Sequence, residues 1–194
     1  MCSWCWAFRP SLLSLLSGLP KEIEVISVLG GLAPDNEEPM SEETCLFVQG
    51  HWQAIQRQVP KTKFNYDFWN NCIPRRSTYP ACRAVIAARY QGQKFDEEIT
   101  LAIQKAYYLQ ARNPSDYSTL ITLSEELGMD KEKFELDIKS LATEEVLQQE
   151  INECRRLRLN SFPGLLLIND EKQIRINPDY LNAKTMLEKI NDVI

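Results

Sequence analysis

The chain opens with the sequence MCSWCW at residues 1–6, which places two cysteines, Cys2 and Cys5, three positions apart. Apolar residues then recur at helical spacing, so the pattern predicts that the pair begins a helix running from Cys2 to Leu16. Free backbone N–H groups and the positive end of the helix dipole stabilise a thiolate in such a first turn. They lower a cysteine pKa from about 8.5 into the range of about 3.5–7.5. The spacing therefore predicts a nucleophilic Cys2 and a Cys5 that resolves a mixed disulfide.

The composition is that of an ordinary globular protein of 194 residues, with 44% hydrophobic and 25% charged residues. The formal charge of -5 at pH 7 and the lack of a dense Lys/Arg run argue against nucleic acid as a partner, because its binding requires neutralisation of phosphates. The pairs Arg75-Arg76 and Arg155-Arg156 are isolated, and we expect them at solvated helix ends. No apolar run approaches the length of about 18–20 residues that a membrane-spanning helix needs, so no membrane is expected as a partner.

Four further cysteines are scattered along the chain, which predicts buried small side chains and not a disulfide framework. They are Cys45, Cys72, Cys82 and Cys154. A disulfide between Cys72 and Cys82 stays open as an alternative. Zinc sites also use C-x-x-C, but zinc needs four ligands, and the chain has one histidine and no second C-x-x-C pair. We therefore expect His51 at the surface or the edge of the core, no metal, and a redox role for Cys2 and Cys5; inert structural thiols are the other alternative.

Beyond the first helix, short strands flank a long helical stretch. The β-branched segment Ile23–Leu29 predicts a strand, and the apolar spacing over residues 41–140 predicts helices throughout. The segments Leu165–Ile168 and Gln173–Ile176 predict two more strands, joined by a turn at Asn169–Lys172 and followed by a last helix. This order of elements predicts an α/β fold.

A proline stands directly before the apolar strand, in the sequence Phe162-Pro163-Gly164. Proline is tolerated at the first position of a strand, and only about 5–6% of X–Pro bonds in folded proteins are cis. A cis bond here would turn the chain sharply and expose the Phe162 backbone to an extended peptide. Because the proline opens an apolar strand in a chain whose C-x-x-C pair opens a helix, we predict a cis Phe162–Pro163 bond; a trans proline at the strand start is the alternative.

Four features together resemble the DsbA-like thioredoxin family, and more narrowly its bacterial FrnE-type branch of oxidoreductases. They are Met-Cys-x-Trp-Cys-Trp at 1–6, Gly30-Gly31-Leu32, the helix start Tyr79-Pro80-Ala81-Cys82-Arg83-Ala84, and Pro163 before the strand. The resemblance covers essentially the whole chain. It implies that Cys2 attacks a disulfide and that Cys5 resolves the product. The substrate-binding residues that the resemblance implies are Ser3, Trp4, Phe162 and Pro163.

Two departures from the family pattern are visible. The family usually carries glycines where Arg158 and Ser161 stand, so the loop before the proline is expected to differ in geometry. Family members also have a strand that ends just before the position of Met1 and lies inside the sheet. We expect that strand to be missing here, which leaves either a gap or direct pairing of Ile23–Leu29 with Leu165–Ile168.

The resemblance therefore implies a thioredoxin-like α/β core without its first strand, formed by residues 1–32 and 143–194, with an all-helical insertion at 33–142. The implied function is a thiol–disulfide oxidoreductase that reduces, forms or isomerises disulfides in proteins or small thiols. The expected partner is a thiol or disulfide protein substrate or glutathione, with no bound cofactor and a cytoplasmic location. A glutathione-dependent isomerase or transferase of the same superfamily and a non-catalytic binding module are the alternatives.

Overall fold

The computed structural model describes residues 1–170 and 172–194, and this part of the chain forms nine helices and two strands. None of the described helices has the length and apolar character needed to cross a bilayer. The helices are α1 (Ser3–Gly18), α2 (Glu42–Gln58), α3 (Phe68–Asn71), α4 (Tyr79–Arg89), α5 (Lys94–Leu109), α6 (Tyr117–Glu126), α7 (Lys131–Ile138), α8 (Leu141–Arg156) and α9 (Ala183–Asn191), and the strands are β1 (Leu165–Asn169) and β2 (Lys172–Ile176).

Helix α1 carries the two cysteines in its first turn and packs against α9. It begins at Ser3, one residue after the predicted start, because Cys2 serves as its N-cap. Phe8 and Leu15 on its apolar face are 1% and 3% exposed and join the core that α9 and the sheet contribute to. Burial of side chains of this size stabilises a fold by about 1.5–3 kcal/mol each. This packing fixes the position of the cysteine-bearing turn.

Strands β1 and β2 pair in antiparallel fashion, and both predicted strands are confirmed, each one residue longer than expected. Asn169 and Lys172 are the last pair of the ladder, at the position of the predicted turn. Asp170 follows Asn169 with a φ of 51°, in the left-handed region that turns often use. Glu171, in the middle of the predicted turn, lies outside the described residues.

The segment Ile23–Leu29 does not form a strand, so that prediction was wrong. Its backbone makes no ladder with β1 or with any other segment that the structure describes. Val25 and Ile26 are 54% and 73% exposed. A β-branched sequence becomes a strand only where a neighbouring backbone accepts its hydrogen bonds, and none of the described strands lies beside this one. Of the two expected outcomes, direct pairing with β1 does not occur.

The stretch between residues 41 and 140 contains α2 to α7, but it is not helical throughout as predicted. Between α2 and α4 the chain is irregular except for the four-residue α3. Helix α4 packs against α5, α6, α7 and α8. Ala84, Ala87 and Ala88 on α4 are completely buried, and their small side chains let the neighbouring helices approach closely. Because α8 begins after its N-cap Ser140, the expected boundary at residue 143 falls inside a helix. The division of the chain at 33–142 stays a prediction.

An ion-pair network connects the unpaired segment to the helices. Arg89 on α4 contacts the carboxylates of Asp96 and Glu150, and the Glu150 side chain is only 16% exposed. The other Glu150 oxygen accepts a hydrogen bond from the Leu29 N–H at 2.6 Å. A charge removed from water is costly unless it is paired and hydrogen-bonded, and Glu150 satisfies both requirements at once. Glu150 therefore holds the end of the segment at Leu29 against α4 and α8.

The four cysteines outside the C-x-x-C pair carry free thiols. The alternative of a disulfide between Cys72 and Cys82 is therefore wrong. The Cys72 thiol donates instead to the Ala111 carbonyl at 3.0 Å. Cys154 is buried, as predicted for a small apolar side chain, and the other three are half-buried. Burial raises the pKa of the Cys82 thiol to about 11. This thiol is therefore protonated and unreactive at neutral pH.

Candidate active site

Cys2 and Cys5 form a disulfide at the first turn of α1, with their Cα atoms 5.2 Å apart. The Cys2 sulfur accepts a hydrogen bond from the Cys5 N–H at 3.1 Å, as an N-cap side chain does. After reduction of the disulfide, the same donor and the positive end of the helix dipole favour a thiolate on Cys2. The turn thus places two sulfurs one helical turn apart, which is the arrangement that disulfide exchange requires.

Beside Cys2 opens a cavity of about 210 Å³, which we call the Cys2 cavity. Its wall is contributed by the start of α1, by α2, by the loop between α3 and α4, and by Phe162. Cys2 lines this cavity and Cys5 does not. Among residues 1–170 and 172–194, no three His, Cys, Asp or Glu side chains come together as a metal site requires.

The two residues between the cysteines, Ser3 and Trp4, face different surroundings. Ser3 is 9% exposed, and its hydroxyl accepts a hydrogen bond from the indole N–H of Trp52 at 3.0 Å. Trp4 is half-buried and packs edge-on against Tyr180, with 5.3 Å between the ring centroids. Both residues line the Cys2 cavity, and substrate contact stays a prediction for each. The Ser3 hydroxyl is already engaged, so its first role is to anchor the cysteine-bearing turn to α2.

The Phe162–Pro163 peptide bond is cis, as predicted for that bond. Phe162 lines the Cys2 cavity, so the loop before β1 meets the start of α1 at that cavity. The Phe162 ring lies against Gly30, where any side chain would overlap it. The next residue, Gly31, has a φ of +57°, which glycine adopts without strain. Gly30 therefore leaves the space that the Phe162 ring occupies beside the cavity. Contact between Pro163 and a substrate stays a prediction.

The loop before Pro163 contains Arg158, which has a φ of 56° in the left-handed region. This is one of the two positions where the DsbA-like pattern carries glycine, and we expected the arginine to alter the loop. The arginine instead adopts a conformation that glycine favours, at a cost of about 1–2 kcal/mol for a residue with a Cβ. The expected difference of this loop from the family pattern stays a prediction.

Sequence reasoning missed His51, Arg75 and Arg76 as residues that line the Cys2 cavity. The arginines lie in the loop between α3 and α4 and not at a helix end, so that expectation was wrong for this pair. Arg155-Arg156, in contrast, does end α8. His51 is half-buried on α2, as a residue at the core edge would be. No local pattern marks these three side chains, because α2 and the loop reach Cys2 only through the folding of the helical insertion.

A family model described as thioredoxin matches residues 1–181 of the chain. The chain belongs to the thioredoxin family. The expected fold, a thioredoxin-like arrangement of the DsbA-like kind with a large helical insertion, is thereby confirmed. Its assignment to the FrnE-type branch stays a prediction.

Solved structures share this fold over nearly the full length. A candidate protein disulfide isomerase from Nitrosomonas europaea is 19% identical and superposes with a TM-score of 0.82. The superposition covers 99% of this chain and 92% of that one. The cytosolic disulfide reductase DsbM from Pseudomonas aeruginosa is 22% identical, with a TM-score of 0.76 over 100% of this chain and 96% of that one. The same reductase solved with GSH is 19% identical, with a TM-score of 0.74 over the same shares. At these identities, the likeness shows the fold.

A curated relative is the ClpXP adapter protein SpxH of Bacillus subtilis (strain 168). It is 25% identical over 177 residues, which are 89% of this chain. The match spans 57% of the length of the relative, so the chain corresponds to little more than half of that protein.

Proposed function

We propose that the protein is a thiol–disulfide oxidoreductase that uses Cys2 and Cys5 as its redox pair. The observation that carries the proposal is the Cys2–Cys5 disulfide at the N-terminal turn of α1, with Cys2 facing an open cavity. Membership of the thioredoxin family and likeness to a disulfide reductase support it. The cytoplasmic location predicted from the sequence has the support of that reductase, which is described as cytosolic.

The proposed reaction is a pair of thiol–disulfide exchanges. In the reduced protein, the Cys2 thiolate attacks one sulfur of a substrate disulfide, breaks its S–S bond and releases the other sulfur as a thiolate. Cys5 then loses its proton and attacks the Cys2 sulfur, which releases the second substrate thiol and forms the Cys2–Cys5 disulfide. Two electrons pass from the protein to the substrate. The reverse sequence oxidises a substrate dithiol, and the direction depends on the potentials of the two couples.

The proposed substrate is a protein disulfide or glutathione disulfide. Trp4 and Phe162 line the cavity beside Cys2 and present apolar surface to either one. The backbone of Phe162, which precedes Pro163, is proposed to pair with an extended substrate segment as an added strand. That DsbM has been solved with GSH supports glutathione as a partner.

The deciding experiment compares Cys2→Ser and Cys5→Ser with the unchanged protein. We expect the unchanged protein to reduce insulin in the presence of dithiothreitol, and Cys2→Ser to lose that activity. Cys5→Ser should instead accumulate a mixed disulfide at Cys2, seen by mass spectrometry as one added glutathionyl group after exposure to glutathione disulfide. Full activity of Cys2→Ser would refute the proposal. Cys72→Ser is a matched control, because its free thiol lies outside the cavity lining and the redox pair.

Two alternatives predict different outcomes for the same variants. A glutathione-dependent isomerase or transferase needs no resolving thiol, so its activity would survive Cys5→Ser. A non-catalytic binding module, which the adapter relative favours, would use the helical insertion to hold a partner. In a binding module, the Cys2 pKa would stay at the usual value of about 8.5. A thiolate absorbance titration of the reduced protein therefore distinguishes a binding module from an oxidoreductase.

A further inference from the structure

The charged side chains that line the Cys2 cavity are those of two arginines. Arg75 and Arg76 line it together with His51, and no Asp or Glu is among its lining residues in the described part of the chain. This contrasts with the protein as a whole, whose formal charge is -5. An acidic protein with a basic cavity beside its redox disulfide attracts anions locally to that site.

The two arginines are in different electrostatic situations. Arg75 contacts the carboxylate of Asp116 and donates to the Ser115 carbonyl at 3.1 Å, so its charge is compensated within the protein. Arg76 is exposed, and no ion pair with it occurs among the described residues. Its guanidinium is therefore the cavity's uncompensated permanent positive charge.

The backbone on both sides of Arg76 is held by hydrogen bonds. The Pro74 carbonyl accepts from the Met40 N–H at 2.8 Å, and the Ser77 carbonyl accepts from the Ser115 hydroxyl at 2.8 Å. The Arg75 side chain is fixed by its ion pair. Because this backbone is held, a contact with Arg76 orders its side chain without ordering the loop, which limits the entropic cost.

We propose that Arg76 is a specificity-determining residue that selects small disulfides carrying a carboxylate. The guanidinium fork pairs with a substrate carboxylate while the Cys2 thiolate attacks the substrate sulfur in the same cavity. This inference rests on the proposed function, and it narrows the substrate to an anionic small-molecule disulfide such as glutathione disulfide. Arg76 takes no part in the transfer of electrons or protons.

The test measures how fast the reduced protein is oxidised by three small disulfides of different charge. Glutathione disulfide is anionic, hydroxyethyl disulfide is neutral and cystamine is cationic. In each reaction, Cys2 and Cys5 give up two electrons, the small disulfide accepts them, and two small thiols are released. Formation of the Cys2–Cys5 disulfide is followed in stopped flow by fluorescence of the adjacent tryptophans, with mass spectrometry as a check.

We expect Arg76→Ala to slow oxidation by glutathione disulfide about fivefold, as the loss of a partly exposed charge pair implies, and to slow the neutral disulfide much less. Arg76→Glu should slow glutathione disulfide further and accelerate cystamine. Arg76→Lys keeps the charge without the fork and should retain part of the preference. The effect should fade in 1 M salt, where the screening length falls to about 3 Å. Arg155→Ala removes one exposed positive charge outside the cavity lining and is the matched control.

The outcomes separate this inference from the function it rests on. If the protein reacts with all three disulfides and Arg76→Ala slows them by equal factors, or no more than Arg155→Ala does, Arg76 does not set specificity and the oxidoreductase function stands. If the unchanged reduced protein reacts with none of the three, nor with insulin, the proposed function itself fails.

Discussion

Ser3 and Trp52 form a buried hydrogen bond that ties the redox turn to α2, and its removal gives a sharp test of the structure. The indole N–H of Trp52 donates to the Ser3 hydroxyl at 3.0 Å, Trp52 is fully buried, and Ser3 is 9% exposed. Ser3→Ala deletes the acceptor and leaves the indole N–H of the buried Trp52 without a protein partner.

The expected cost is that of one buried, unsatisfied polar group, about 1–3 kcal/mol, with about 2 kcal/mol as the central value. For a chain of this size, each kcal/mol lowers Tm by about 2–4 °C, so Tm should fall by about 4–8 °C. The assay is thermal unfolding of the oxidised protein, followed by circular dichroism without reductant. Keeping the disulfide closed separates the packing effect from any effect of the substitution on redox potential.

Two controls make the result interpretable. Ser17→Ala lies on the same helix, where the hydroxyl donates to the Ser14 carbonyl at an exposed position, and it should leave Tm nearly unchanged. Trp52→Phe removes the donor instead, and the double variant with Ser3→Ala completes a mutant cycle. A coupling energy near zero, or a Ser3→Ala variant no less stable than Ser17→Ala, would refute the reasoning.

Three further predictions test other parts of the structure. Glu150→Ala should lower the free energy of unfolding by about 2–3 kcal/mol, because the partly buried Arg89 loses one of its counter-charges. Glu153→Ala, at an exposed ion pair on the same helix, is the control and should leave Tm unchanged in thermal melts. Equal effects of the two substitutions would contradict the assigned network. Hydrogen bonds from the backbone N–H groups of Leu181 and Asn182 hold the pKa of Asp179 below its ordinary value of 3.8. The stability that these bonds confer is therefore complete above pH 3.8 and is lost as the pH falls through the lowered pKa of the folded state. Asp179→Asn should therefore be less stable than the unchanged protein at pH 7, and the difference in Tm should disappear in strong acid; a difference independent of pH would exclude this role. In the reduced protein at pH 8, iodoacetamide should alkylate Cys82 far more slowly than Cys2, because desolvation raises the pKa of the Cys82 thiol to about 11. Peptide mapping measures both rates, and faster labelling of Cys82 would contradict this raised pKa.

The parts of the fold that were predicted correctly depend on short-range signals. The start of α1 was visible because Cys2 and the apolar spacing after it lie within a few turns of one helix. The hairpin of β1 and β2 was visible because its two apolar runs are separated by a short polar turn. The cis bond at Pro163 was predicted from two features, the proline before an apolar strand and the C-x-x-C pair at the start of the chain.

The sequence by itself determined these elements and the pairing of Cys2 with Cys5, because helix capping, strand alternation and C-x-x-C spacing act within a few residues. Only the tertiary structure decided the fate of Ile23–Leu29, since a strand requires a neighbouring backbone as hydrogen-bond partner. Likewise, only the folding of the helical insertion brought His51 and Arg76 to the Cys2 cavity. The physical reason is that hydrogen-bond pairing and the electric field at a site depend on distances in space, which sequence separation does not specify.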